Sequence, residues 1–328
     1  MTATVREETE RIERETLASW ATLALQTKGR EREEAPDPLR TVFQRDRDRI
    51  LHSKAFRRLK HKTQVFIAPL GDHYTVRLTH TLEVAQVART IARALRLNED
   101  LSEAIALGHD LGHTPFGHIG EGVLSRMLKR RFKHAEQGLR TVEVIENSGR
   151  GLNLTFEVRD GIVAHSWSQP PPLTPEAWII RFADRIAYLN HDLADAVRAG
   201  ILTEEEVPKE VRKVLGSSHR DRINSLVMGV VEASQQAGEV VMAPEPLEAM
   251  DRLRRFMFER VYLGPVALSD RARAEQILEE LFTHLDGDPT HLPAEYQQLP
   301  GDQSTRVADY LAGMTDGYAI RRHSELLG

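Results

Sequence analysis

Apolar residues recur along nearly the whole chain at helical rather than alternating intervals, and no run of period-two residues interrupts them. Leu78, Leu82, Ala85, Ala88, Ala92 and Leu95 form one stripe, and Val84, Val87 and Ile91 form a second. A helix with two apolar faces has to be largely buried. A second helix is written from about Pro175 to Ala199, with Thr174 suited to the N-cap, Pro175 to the first helical position, and Gly200 placed to end it. The chain is therefore expected to be all-α, assembled by helix-on-helix packing, with room only for short β pieces.

The 328 residues are 41% hydrophobic and 28% charged with a net charge of −5, enough apolar surface for a sizeable core, which excludes disordered and collagen-like classes. No cysteine is present, so disulfides, thiolate zinc sites, iron-sulfur clusters and a catalytic thiol are excluded, and any metal must be held by imidazole and carboxylate. Met1 to Arg30 lacks the apolar run of a signal peptide, and no stretch approaches the roughly eighteen apolar residues of a membrane span; a cytoplasmic protein with no membrane partner is expected. Arg6 to Glu15 alternates acid and base and reads as a solvated helix with i,i+4 ion pairs. The Pro-rich segment between Ser166 and Pro175 reads as an ordered loop joining helices. Asp286-Gly287-Asp288 opens like a calcium loop but continues wrongly and reads as a turn. One mainly helical unit over 1–328 is expected, with the chemistry in 38–200 and a C-terminal helical layer over 201–328.

Ten of the fourteen histidines fall between His52 and His191, where even spreading would give about six. Four groups stand out there: His80, the pair His109-Asp110, the loop from His113 to His118 with Glu121, and Asp184. His80 shares its helix face with Val84, Val87 and Ile91, and Asp184 shares its own with Ile180, Ala187 and Tyr188, so both polar groups should turn inward. A buried carboxylate is costly unless paired or bound to a metal. Taken singly, each residue reads as a satisfied core or surface group. As a set, two imidazoles and two carboxylates suit one divalent cation with positions left for water and a substrate oxygen, Gly108 and Gly112 relaxing the backbone around the adjacent pair.

These residues resemble the H…HD…D signature of the HD superfamily of metal-dependent phosphohydrolases. The resemblance narrows with Phe43-Gln44-Arg45-Asp46-Arg47-Asp48-Arg49-Ile50, Ala55-Phe56-Arg57-Arg58-Leu59 with Lys62-Thr63-Gln64-Val65-Phe66, the His109–Glu121 loop, Phe132-Lys133-His134, Gly151-Leu152-Asn153-Leu154-Thr155 and Asp309-Tyr310-Leu311-Ala312-Gly313-Met314-Thr315-Asp316. In order these are similar to the deoxyguanosinetriphosphate triphosphohydrolase-like dNTPases, over about Pro38 to Ala319. The resemblance implies an HD-domain helical bundle with additional C-terminal helices, and hydrolysis of a deoxynucleoside triphosphate to deoxynucleoside and intact triphosphate.

It further implies His80, His109, Asp110 and Asp184 as metal ligands, His118 as the catalytic imidazole, and Glu121 as its orienting partner. Arg77, Arg185, His113 and His134 would bind phosphate, while Tyr188, Asp192 and Gln64 would meet the sugar. Asp184, Tyr188 and Asp192 stand at i, i+4 and i+8, one face over about 12 Å of helix. The ligand set suits Mn²⁺, Fe²⁺, Co²⁺, Ni²⁺ or Zn²⁺, with Mg²⁺ more natural on the triphosphate. Homo-oligomers and a second, activating nucleotide also belong to what the resemblance implies. Ala164 and Gly317 stand where basic residues are expected in many members.

From Arg40 to Lys62, nine Lys or Arg face two Asp. That segment reads either as a charged face paired with acidic surface or as a phosphate contact to substrate, a regulatory nucleotide or nucleic acid, the last ranked lowest for want of interleaved aromatics. No GxxxxGK[ST], GxGxxG or HExxH motif is present. The rival functions are another HD phosphohydrolase, such as a 5′-nucleotidase or a guanosine tetraphosphate hydrolase, and a non-catalytic nucleotide sensor.

Overall fold

The helical period is realised along the chain in a computed structural model that describes residues 3–64, 74–262 and 265–328. Among the described residues the extended pairing consists of one isolated antiparallel bridge between Thr63 and Val76. Val65 and Phe66 of the quoted motifs lie outside the described residues.

Three helices make the frame of the site. Arg77–Leu95 buries Val84, Val87, Ala88, Ile91 and Ala92, and stops where Arg96 turns left-handed at φ 52°. Leu82, expected in its buried stripe, is 50% exposed. The two stripes together span more of the circumference than the neighbouring helices cover, and Leu82 falls in the gap. Glu99–Gly108 packs against Arg77–Leu95 and against Val42–His52. Pro175–Arg198 crosses Arg77–Leu95; the Thr174 hydroxyl accepts from the Ala177 amide at its start, and Gly200 follows its end at φ +68°.

The buried apolar residues fall into two clusters. The larger runs from Ala24 to Val261 and contains the three framing helices. The smaller joins Phe116, Val123 and Leu124 to Ala274, Leu278, Leu281, Val307 and Leu311 of the C-terminal helices. The segment from His109 to His118 runs between them, with Leu111 in the first cluster and Phe116 in the second.

Gly108 and Gly112 serve differently from the expectation, for neither has a positive φ. A Cβ on Gly112 would lie 2.1 Å from the Gly138 amide nitrogen and 2.2 Å from the His134 carbonyl oxygen, and one on Gly108 would meet Ile162 at 2.7 Å. Both glycines are needed for close approach.

The N-terminal helix Val5–Thr16 carries the expected pairs Arg6–Glu10 and Arg11–Glu15, each 2.6 Å. It is not simply solvated, however. Glu10 and Glu13 are each 8% exposed while the apolar Val5 is 59% exposed, because Glu13 turns in to accept from the Ala24 amide at 2.8 Å. The Pro-rich loop is ordered as expected, with the Arg181 guanidinium donating to the carbonyls of Gln169, at 2.9 Å, and Pro170. Asp286 and Gly287 end the helix Pro265–Gly287 instead of forming the expected turn, and Asp288 caps a short 3₁₀ helix that follows. In the basic segment Arg40 meets Asp37 and Asp48, Arg45 and Arg49 meet Glu34, and Arg47 reaches Asp100 and Glu103. Much of its charge is thereby paired, while Arg57 and Lys60 are exposed.

Candidate metal and catalytic centre

His80 comes from the buried face of Arg77–Leu95, His109 and Asp110 from the end of Glu99–Gly108, and Asp184 from the middle of Pro175–Arg198. The fold brings all four together. His80 Nε2 lies 3.3 Å from His109 Nε2, 3.2 Å from Asp184 Oδ1 and 3.8 Å from Asp110 Oδ2, and His109 Nε2 lies 3.4 Å from Asp110 Oδ1. His109 Nδ1 stands 2.6 Å from the Ala106 carbonyl oxygen, a pure acceptor, so it carries the proton and Nε2 presents a lone pair to the cluster.

Electrostatics agree with a cation site. Burial alone would raise Asp110, yet His109, His113 and Arg77 hold its carboxyl well below the usual range. Burial likewise opposes ionisation of Asp184, and the contacts with His80 and the nearby His109 overcome it. Burial pushes the His80 imidazole down, toward the neutral form a metal ligand needs. His80, His109 and Asp110 bring their ligand atoms close enough together to hold one ion with N and O ligands, and Asp184 stands beside the two imidazoles.

The second tier is built by the next helix. The Thr114–Gly117 turn puts His118 at the start of His118–Met127, 78% exposed, with Nδ1 3.2 Å from Glu121 Oε1. The same oxygen lies 2.7 Å from His134 Nδ1 and 3.5 Å from His113 Nδ1. Burial opposes it, but His134 and His118 keep Glu121 far below the usual carboxylate range. His113 stacks on His134 at 3.8 Å and sends Nε2 toward Asp110 Oδ1 at 3.2 Å, which joins the two tiers.

His165 closes the network. Its Nδ1 lies 2.7 Å from the Ile162 carbonyl oxygen, so its Nε2 accepts, and that Nε2 is 3.2 Å from His134 Nε2. His134 thus stands between Glu121 on its Nδ1 side and His165 on its Nε2 side.

On Pro175–Arg198 the remaining expected residues share a face but not one set of partners. Asp192 Oδ2 accepts from the Tyr262 hydroxyl at 2.6 Å, and its Oδ1 lies 2.8 Å from His191 Nδ1, close though not aligned as a hydrogen bond. His191 Nε2 in turn is 2.9 Å from His80 Nδ1. Burial and the neighbouring Asp184 push the Tyr188 hydroxyl up to about 12. Arg185 pairs with Asp251 at 3.0 Å and lies over the Trp167 ring at 4.5 Å, so its guanidinium is already engaged. Arg77 donates to Asp110 at 2.8 Å, while among the described residues neither its Nε nor the buried Gln64 Oε1 has a partner. Orphaned polar atoms of this kind mark places where a ligand completes the bonding.

The sequence reading did not single out His165, His191 and Tyr262 for this site. The histidines were among the ten that made the window unusual, and that count was their only signal. Nothing around Tyr262 distinguishes it in sequence.

Comparison with known proteins follows the same lines. The family model of the HD domain matches residues 77–189, and that of the phosphohydrolase-associated domain matches residues 240–325. A deoxyguanosinetriphosphate triphosphohydrolase-like protein of Caldanaerobacter subterraneus subsp. tengcongensis is 53% identical over 98% of this chain and 95% of its own. Proteins so named from Desulfatibacillum aliphaticivorans and Clostridium perfringens are 47% and 48% identical, each over 98% of this chain, and over 98% and 97% of their own lengths. A solved structure, a hypothetical protein from Aquifex aeolicus, matches with a TM-score of 0.45 and 19% identity over 84% of this chain and 67% of its own.

Proposed function

From the premise that the chain belongs to the deoxyguanosinetriphosphate triphosphohydrolase-like family of HD phosphohydrolases, we propose that it hydrolyses deoxynucleoside triphosphates to deoxynucleoside and triphosphate. The observation that carries this reading is the adjacency of two tiers: a four-residue donor set, His80, His109, Asp110 and Asp184, and an exposed imidazole, His118, on a carboxylate one loop away. When bound there, a divalent cation would polarise a phosphate oxygen and help bring water to the phosphorus.

The chain's own residues supply the rest. Water adds to the α-phosphorus, the bond to the 5′ oxygen breaks, and that oxygen needs a proton to leave as an alcohol. Protonated His118 gives that proton, and Glu121 holds the imidazole in position. His134 and the Nε of Arg77 meet phosphate oxygens, with His113 and Arg185 completing that side once Arg185 leaves Asp251. Gln64 Oε1 accepts from the 3′-hydroxyl, which Asp192 can share only by dividing its oxygens with Tyr262 and His191. Tyr188 closes over the deoxyribose, and a close fit there rejects a 2′-hydroxyl.

The test is a product assay with Mn²⁺ or Mg²⁺, each dNTP singly and all four together. Deoxynucleoside with intact triphosphate is expected, and turnover only in the mixture would reveal activation by a second nucleotide. Monophosphate with pyrophosphate would overturn the reading.

A further inference from the structure

The helices beyond residue 201 touch the site through Tyr262 and Asp251, and one further residue of theirs reaches both of its sides. Asp316 opens the last helix, Asp316–Leu327, behind the N-cap Thr315. Its Oδ2 accepts from the Thr63 amide at 2.9 Å and from the Thr63 hydroxyl, and its Oδ1 accepts from the Phe116 amide at 3.0 Å. Thr63 precedes Gln64, and Phe116 stands two residues before His118.

The loop so held is not one the chain adopts freely. Phe116 has φ +58°, rare for a bulky residue, and Gly117 follows at φ +58°, where a Cβ would come within 3.1 Å of Arg77 Nη2. Thr114 Oγ1 donates to the Gly117 carbonyl at 2.7 Å inside the turn, and Phe116 buries its ring among the C-terminal helices. A second tie runs alongside: the buried Lys62 ammonium donates to the carbonyl of Ala312 at 2.8 Å and to that of His113. Residues 312–316 thus hold the loop directly at Phe116 and, through Lys62, at His113, and they hold the Lys62–Thr63 segment as well.

We propose that Asp316 is a positioning residue for turnover: by bridging Thr63 and Phe116 it sets the distance between the leaving-group imidazole His118 and the sugar-side acceptor Gln64. The C-terminal helices then hold the catalytic loop in its working conformation, which is more than a covering layer does. The proposal rests on the dNTPase reading for its kinetic arm only.

Asp316→Asn keeps the shape and replaces one acceptor oxygen by an NH₂ group, so Thr63 and Phe116 cannot both keep their acceptor. The expected result is a fall in kcat of about 10- to 100-fold, the scale of a misplacement near 1 Å. KM for the dNTP should change less than about threefold, with Mn²⁺ binding and melting temperature close to those of the wild type. Amide hydrogen exchange at Thr63 or Phe116 should speed up while amides of Arg77–Leu95 stay as slow as before. Wild-type kcat, or a loss of kcat matched by lost metal or lost folded protein, would overturn the proposal. Should Asp316→Asn not fold, Thr63→Val, which removes only the hydroxyl tie, should still lower kcat by about two- to fivefold, and a wild-type rate there would overturn it equally. If the wild-type chain hydrolyses no dNTP, the earlier reading fails, while unchanged exchange at both amides is what would sink the clamp.

Discussion

Two of the regions in which the molecule buries carboxylates treat them in opposite ways. In the cleft, burial would raise Asp110, Asp184 and Glu121, but imidazoles and Arg77 outweigh it and hold all three far below their ordinary range. Beneath the N-terminal helix, burial wins: Glu13 is pushed up to about 7, with Asp100 and Glu10 adding to the shift, and Glu176 is also raised. The partners explain the contrast. Glu176 accepts from the Thr22 amide and hydroxyl and from the Asn98 amide, and Glu13 accepts from the Ala24 amide, neutral donors in every case. Neutral donors tie the chain down without keeping a carboxylate charged, whereas the cleft keeps negative charge where a cation is to be received.

The sharpest way to break this comparison is to remove one cleft charge at constant shape. Asp110→Asn should abolish tight binding of Mn²⁺ and lower turnover on the order of 10³-fold or more, since it removes a proposed metal ligand and the partner of Arg77 and His113 together. His118→Ala should lower turnover by about 10²- to 10⁴-fold while binding Mn²⁺ as the wild type does, because that imidazole touches Glu121 and none of the four donors. Calorimetric titration of Mn²⁺ beside the rate separates the two variants. Equal metal loss in both would mean that the tiers are one site.

A smaller effect is expected one residue behind the donors. The arrangement that leaves His80 Nε2 with a free lone pair is the one in which His80 Nδ1 donates to His191 Nε2, with Asp192 on the far side of His191. Such outer partners orient a ligand and raise its basicity. His191→Ala should therefore weaken Mn²⁺ affinity by about 10- to 100-fold without changing the number of ions bound. An unchanged dissociation constant would show that packing alone orients His80.

How much of this was legible in the sequence follows from what periodicity can say. It gives the faces of a helix and its ends, so Thr174, Gly200 and the inward turn of His80 were readable. It does not say what covers each face. Leu82 lies on an apolar stripe and is exposed for want of a neighbour, and Glu13 lies on a charged stripe and is buried because Ala24, eleven residues on, folds back over it. The basic segment could not be resolved from sequence for the same reason: Glu34, Asp100 and Glu103, which pair with its arginines, come from other segments. The four donors were visible because their chemistry is unusual for a buried helix face, whereas Tyr262 became part of the site only when its helix docked on Asp192.

The weakest expected effect tests the other half of the comparison. Glu13 has its proton held more tightly in the folded chain, near 7, than in the unfolded chain, near the model-peptide value of 4.5. Between those values the folded state binds more protons than the unfolded one, so stability falls as pH rises through about 4.5 to 7 and levels off above. Glu13→Gln keeps a carbonyl oxygen for the Ala24 amide and cannot ionise, so it should erase this part of the slope. Because the new NH₂ group must itself find an acceptor, the net gain at pH 8 should be only about 1 kcal/mol, and at pH 5 the variant should equal the wild type or fall slightly below it. Urea unfolding of both proteins at pH 5 and pH 8, with chelator present to keep the cleft constant, reads the difference. Parallel pH slopes would mean that Glu13 stays ionised beneath its helix, and that neutral donors alone suffice to keep a buried carboxylate charged here.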